Sequence, residues 1–135
     1  MAASLAWLKV VDGDHFRSKG GQVTPGLENI VQLVSPAPAE AAPFFVLRAW
    51  SGVNGAFAET WRIEDPNGRT VHEGIERQIM QGMGSAASGG ISDEVAGQVF
   101  EYADEGYQVV VEIEGREVAR ADFEVRDASE PITTP

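Results

Sequence analysis

Groups able to do chemistry are few in this chain, and carboxylates dominate them. There is no cysteine, which excludes thiolate nucleophiles, thiolate metal ligands and disulfides. Histidine occurs only at His15 and His72, each expected to be solvent-exposed or locally bonded. A serine nucleophile needs a strained elbow such as Gly-x-Ser-x-Gly, and the Gly82–Gly90 stretch, with Ser85 and Ser88, lacks that pattern. Among 21 acids, chance alone supplies the pairs that a glycosidase would need. Glu59 stands apart, because it occupies an inward-facing position between Phe57 and Trp61. Two readings of it stand. Either it is a carboxyl of raised pKa, the acid of a hydrolase that uses Glu59 or His72, or it lies at a strand end or pairs with Arg48 on a neighbouring strand.

Calcium is the one metal whose chemistry suits the loops. Asp12, Asp14 and Asp65 fall in loop segments, with Asn67 and Asp104 as further oxygen donors. Against this, Asp12-Gly13-Asp14 lacks the ligand spacing of an EF-hand, and Asp65-Pro66-Asn67-Gly68 is explained as a turn. No His or Cys spacing suggests zinc. Gly82-x-Gly84 lacks the lysine and the following helix of a phosphate loop. No cofactor is expected.

The formal net charge is −11, and it is concentrated. Residues 91–130 hold twelve acids and three bases, a net of −9, leaving −2 for the rest. Nucleic acid and anionic membrane surfaces are disfavoured as partners, since both demand clustered positive charge. The acidic third is either a surface for a basic partner or cation, or a solvated sheet face. No run approaches the roughly twenty apolar residues of a membrane-spanning helix. Met1 to Val11 lacks the layout of a signal peptide. A cytoplasmic protein is the expectation, or a virion component if the chain is phage-encoded.

The elements that must carry these residues read as strands. Tyr107, Val109, Val111 and Ile113 alternate with Gln108, Glu112 and Glu114; Ala119, Ala121, Phe123 and Val125 alternate with Arg120, Asp122 and Glu124. Gly115 turns one run into the other. Further strands are expected at 5–11, 27–34, 44–50, 57–64, 69–75 and 91–102, the last broken by Gly97. Residues 35–43 form a proline-rich connection, 81–90 a small-residue loop expected to be mobile, and no helix stands out. The result is one all-β domain over residues 1–127 with a polar flexible tail at 128–135. Its architecture is a two-layer antiparallel β-sandwich of seven or eight strands.

Phe100-x-Tyr102-x-Asp104-x-Gly106-Tyr107, the valine-rich strand, the Glu-Gly turn and Phe123-x-Val125 resemble the closing strands of immunoglobulin-like and C2-like sandwiches. In immunoglobulin-like domains an Asp-x-Gly-x-Tyr corner precedes the penultimate strand; here Tyr107 follows Gly106 directly. The order of Asp12-x-Asp14, Gly20-Gly21, the proline loop, Phe45-Val46-Leu47-Arg48, Asp65-Pro66-Asn67-Gly68 and Glu105-Gly106-Tyr107 is also similar to a small bacterial β-sandwich family described only as a domain of unknown function. That resemblance implies a fold and transfers no functional residue.

The missing catalytic set points to a non-enzymatic binding or structural module, working through loops or an edge strand. One form is a component of a larger assembly such as a phage virion. Phe44 and Phe45 are adjacent, so one must face away from its own sheet's core; Val110 and Val118 lie on the polar face of the last hairpin. Exposed, Phe44, Val110 and Val118 would be a contact patch for a protein partner or for self-association; covered, they would be ordinary packing.

The hairpin register is strongly constrained, since a one-residue slip would bury a row of acids. Phe123→Ala is therefore expected to cost about 3–5 kcal/mol, and Glu124→Ala less than about 0.5 kcal/mol. Chemical denaturation of both variants checks this; equal losses would mean a different register.

Overall fold

The computed structural model describes residues 4–51, 55–80, 85 and 90–132. Among them the chain is all-β, apart from one helix of six residues. The elements are β1 (Ser4–Asp12), α1 (Gly13–Ser18), β2 (Ile30–Gln32), β3 (Ala39–Glu40), β4 (Phe44–Ser51), β5 (Ala56–Glu64), β6 (Thr70–Glu73), β7 (Arg77–Met80), β8 (Ile91–Val95), β9 (Val99–Phe100), β10 (Gly106–Ile113) and β11 (Arg116–Arg126). Nine strands join one sheet in the order β6-β5-β10-β11-β2-β1-β4-β8, with β7 also paired to β5. The remaining two, β3 and β9, form a small ladder.

Three expectations need correction. Among the described residues eleven strands form rather than seven or eight, because β3, β7 and β9 are too short to show a period. The sheet is mixed, not antiparallel: β2 runs parallel to both β1 and β11. Asp12-Gly13-Asp14 does not end in an open turn but starts α1, with Asp12 as its cap, accepting from the His15 N–H at 3.1 Å.

The last hairpin keeps the expected register. Tyr107, Val109, Val111, Ile113, Phe123 and Val125 are buried in the main core, and Tyr107 pairs with Phe123 across the ladder. Glu112 and Glu124 point to the other face but are only partly exposed, because Arg62 and Arg126 bind them. The Tyr107 hydroxyl accepts from the Tyr102 N–H at 3.2 Å, tying the start of β10 to the chain before it.

Phe44 and Val110 are buried inside this one chain, so neither is contact surface. Phe44 shares its parity with Val46 and packs on Phe100, at a ring separation of 6.0 Å. Phe45 is the ring that faces away, and Phe16 of α1 covers it at 5.6 Å. With Val11, Leu27 and Leu47 this makes a second small core on the back of β1 and β4, which explains why β4 is apolar on both faces. Val110 lies between its cross-strand partners Arg62 and Arg120, whose long apolar stems shield it. Val118 alone of the three is open, at 46% exposure.

The stretch 81–90 expected to be mobile lies outside the described residues except for Ser85 and Gly90, and Ser85 bridges to Trp50. Of the tail, residues 133–135 lie outside them; Ile132 is held by its N–H to Gln32 Oε1 at 2.7 Å.

Candidate functional site

Parity places two opposite charges in the core. On β4, Arg48 shares a face with Phe44, Val46 and Trp50; on β5, Glu59 shares one with Phe57, Trp61 and Ile63. Both side chains are 0% exposed, and they meet as a two-pronged pair. Arg48 Nε donates to Glu59 Oε2 at 2.9 Å, and Arg48 Nη2 donates to Glu59 Oε1. The Trp50 indole N–H adds a third bond to Oε2 at 2.7 Å, while Arg48 Nη1 reaches the Val46 carbonyl. Burial is the largest influence on Arg48 and opposes its charge. The bonds and charges of Glu59 and Asp93 outweigh it, holding the guanidinium above the ordinary arginine range.

Asp93 of β8 extends the network. It pairs with Arg48 Nη2 at 2.9 Å, accepts the Trp61 indole N–H at 3.1 Å and pairs with Arg77 of β7. Burial again acts most strongly, against ionisation. The charge of Arg48, the Trp61 bond and Arg77 together overcome it and hold the carboxyl below its ordinary value of 3.8.

These contacts cross from β4 and β8 to β5 and β7, near opposite ends of the sheet order, so the sheet curls until its edge strands β6 and β8 face each other. No backbone hydrogen bond joins the two edges among the described residues. Side chains bridge them instead. Gln98 closes one end of the seam, bonding His72 Nδ1 at 3.0 Å and donating to the Val71 carbonyl at 3.3 Å. Arg77 closes the other end through Asp93. Between them lies a groove of about 280 Å3, with Glu73, Gly74 and Ile75 on one wall and Asp93 to Ala96 on the other. Its floor is Trp61, which His72 stacks on at 5.4 Å and 24°. Gly74 rests against the same indole and donates its N–H to the Trp61 carbonyl at 2.8 Å. A Cβ at position 74 would fall inside the indole, so only glycine lets the backbone pass here.

The calcium candidates are not brought together. Asp12 caps α1, and Asp14 pairs with Arg17 at 2.8 Å. Asp65 accepts from the backbone N–H groups of Asn67 and Arg69 at 2.8 and 2.9 Å, which makes it a turn-former. Strands β10, β11 and β2 separate β5 from β1. Among the described residues no three His, Cys, Asp or Glu side chains are placed to share a metal ion. Asp12 is itself pushed above the ordinary carboxylate range, with burial the largest cause.

Of the hydrolase candidates, Glu59 is the partner of Arg48, sealed from solvent, and His72 is fixed between Trp61 and Gln98. His15 is buried, accepting the Glu28 N–H at Nε2. Sequence reasoning missed Asp93, Arg77 and the groove. The short strands that carry them show no period, and their meeting depends on the curl of the whole sheet.

Comparison of the chain with protein-family models, with curated proteins and with solved structures finds no match.

Removing either half of a buried pair strands a charge. Arg48→Met and Glu59→Met are each expected to cost about 3–5 kcal/mol, with the double variant more stable than either single one. Urea denaturation of the three checks this; additive losses would contradict a direct pair. Asp93 makes a second test. Its lowered folded pKa adds stability above its ordinary value of 3.8, and that stability is lost as pH falls through the folded value. The deficit of Asp93→Asn should therefore be constant near neutrality and shrink in acid. A deficit unchanged down to about pH 2 would exclude the linkage.

Proposed function

We propose that this chain is a non-enzymatic binding module that takes an extended segment of a protein partner along the seam between β6 and β8. The observation that carries the reading is the pair of strand edges, unpaired among the described residues, that face each other across an open groove. Unpaired edges are templates for strand addition, in which main-chain bonds give affinity and pockets for side chains give specificity. Ile75 on the rim is 83% exposed, an apolar contact waiting at the mouth. Glu59 and His72 are committed to internal bonds, which argues for binding rather than hydrolysis. The net charge of −11 favours a protein partner over nucleic acid or membrane.

The module takes the form of a two-layer sandwich in this reading, with β4 and β8 against β5 to β7. Support for an immunoglobulin-like type comes from Tyr107, whose hydroxyl bonds back to Tyr102 as in a tyrosine corner. The parallel pairings of β2 depart from that type. Residence in the cytoplasm, or in a virion as one part of a larger assembly, belongs to the same proposal.

A photo-crosslinking residue at position 75 or 96, compared with one at 19 or 116, tests it in the native host. Partner crosslinks, or crosslinks to a second copy, are expected from the seam positions only. Equal yields at all four, or none at the seam, would contradict it.

A further inference from the structure

The turn that joins β5 to β6 is built around an asparagine–glycine pair. Asn67 and Gly68 are both exposed, and among the described residues only the backbone of Asn67 is bonded. Gly68 has a φ of 81°, in the left-handed region, so the turn itself demands glycine there. Asparagine is chemically labile, and a following glycine leaves the next backbone nitrogen unshielded beside its side-chain amide. Asp65 restrains this pair. It is 6% exposed, and its carboxylate accepts the N–H groups of Asn67 and Arg69 at 2.8 and 2.9 Å. Its carbonyl accepts the Gly68 N–H at 2.9 Å, and its own N–H reaches the Arg69 carbonyl at 2.8 Å. The one nitrogen able to attack the Asn67 amide is thus committed to the turn.

We propose that Asn67 is a site of spontaneous conversion to isoaspartate, which Asp65 slows in the folded chain and which unseats β6 once it occurs. The Gly68 nitrogen bonds to Asn67 Cγ and loses its proton to solvent. The Cγ–Nδ2 bond breaks, and Nδ2 takes up a proton and leaves as ammonia. Water then opens the five-membered imide. Opening at Cγ gives aspartate; opening at the main-chain carbonyl gives isoaspartate, whose backbone runs through the former side chain. Water enters and ammonia leaves, with no change of oxidation state. Isoaspartate adds an atom to the main chain inside the turn that the Asp65 bonds close. Strand β6 meets β5 through only three residue pairs, Arg62 with Glu73, Ile63 with His72 and Glu64 with Thr70. It carries His72 onto Trp61 and leads into Gly74, so a shifted turn reaches the floor of the groove. This chemistry stands apart from strand docking and needs no partner.

Trypsin cuts after Arg62 and Arg69, so the peptide 63–69 contains Asn67 and no other asparagine. The intact protein and a synthetic 63–69 peptide are incubated side by side at mildly alkaline pH. Peptide mapping by mass spectrometry then follows the conversion, with electron-transfer fragmentation to tell isoaspartate from aspartate. The intact protein is expected to convert at about one-tenth of the peptide's rate or slower, since turn bonds of ordinary net strength must open first. Asp65→Ala should bring the rate toward that of the peptide, and Asp65→Asn, which keeps an acceptor oxygen, should raise it less. Purified isoaspartyl protein should show shifted amides at residues 70–74. Asn67→Asp, which adds the same charge without the extra backbone atom, should leave them in place. Equal rates in protein and peptide would overturn the restraint by Asp65, and that comparison needs no variant to fold. No isoaspartate at position 67 in either the wild type or Asp65→Ala would overturn the site. Unshifted amides at 70–74 in the converted protein would overturn the effect on β6.

Discussion

The Arg48–Glu59 pair is the constraint on which the rest of the molecule depends. Dehydrating two ions costs several kcal/mol each, and that cost is met only by close, two-pronged geometry with the remaining bonding capacity filled. Here Trp50, Asp93 and the Val46 carbonyl complete the set. Arg48 lies on β4 and Glu59 on β5, which five steps of strand pairing separate along the sheet. The pair is satisfied only if the sheet curls through its full width. The same curl sets Trp50 edge-on to Phe57 at 5.1 Å and gathers the main core inside.

Curling brings β6 and β8 opposite each other without joining them. Trp61 explains why. Its indole, held by Asp93 and His72, lies under the seam, and Gly74 passes close over it with its N–H bonded back to the Trp61 carbonyl of β5. Gln98 and Arg77 then tie the two ends with side chains. The molecule thereby keeps two strand edges that a closed barrel would lose, and the proposed function follows from them.

How much of this was legible in the sequence depends on the range of each signal. The β10–β11 hairpin was readable residue by residue, because alternation is local and Gly115 marks its turn. Glu59 was visible as an acid at an inward parity, and so was its pairing with Arg48 as one of the readings. Phe44 was not: adjacency says that one of two rings turns away, and only the helix built on Asp12 decides that it is Phe45. Val110 needed knowledge of which arginines flank it. The parallel placement of β2 and the meeting of Asp93 with Arg48, Arg77 and Trp61 are products of topology over the whole chain, and no short window contains them. The calcium candidates stay apart for the opposite reason. Asp12, Asp14 and Asp65 each had a sufficient local role, in a cap, an ion pair and a turn.

The central claim is that the buried network holds the two ends of one sheet face to face while their edge backbones stay unpaired. Amide hydrogen exchange along β8 measures this directly. In Ile91–Val95, amides turned toward β4 should exchange slowly and the alternate ones, turned into the seam, should exchange fast. Uniform protection along β8 would mean that β6 and β8 close into a barrel, and it would contradict the account.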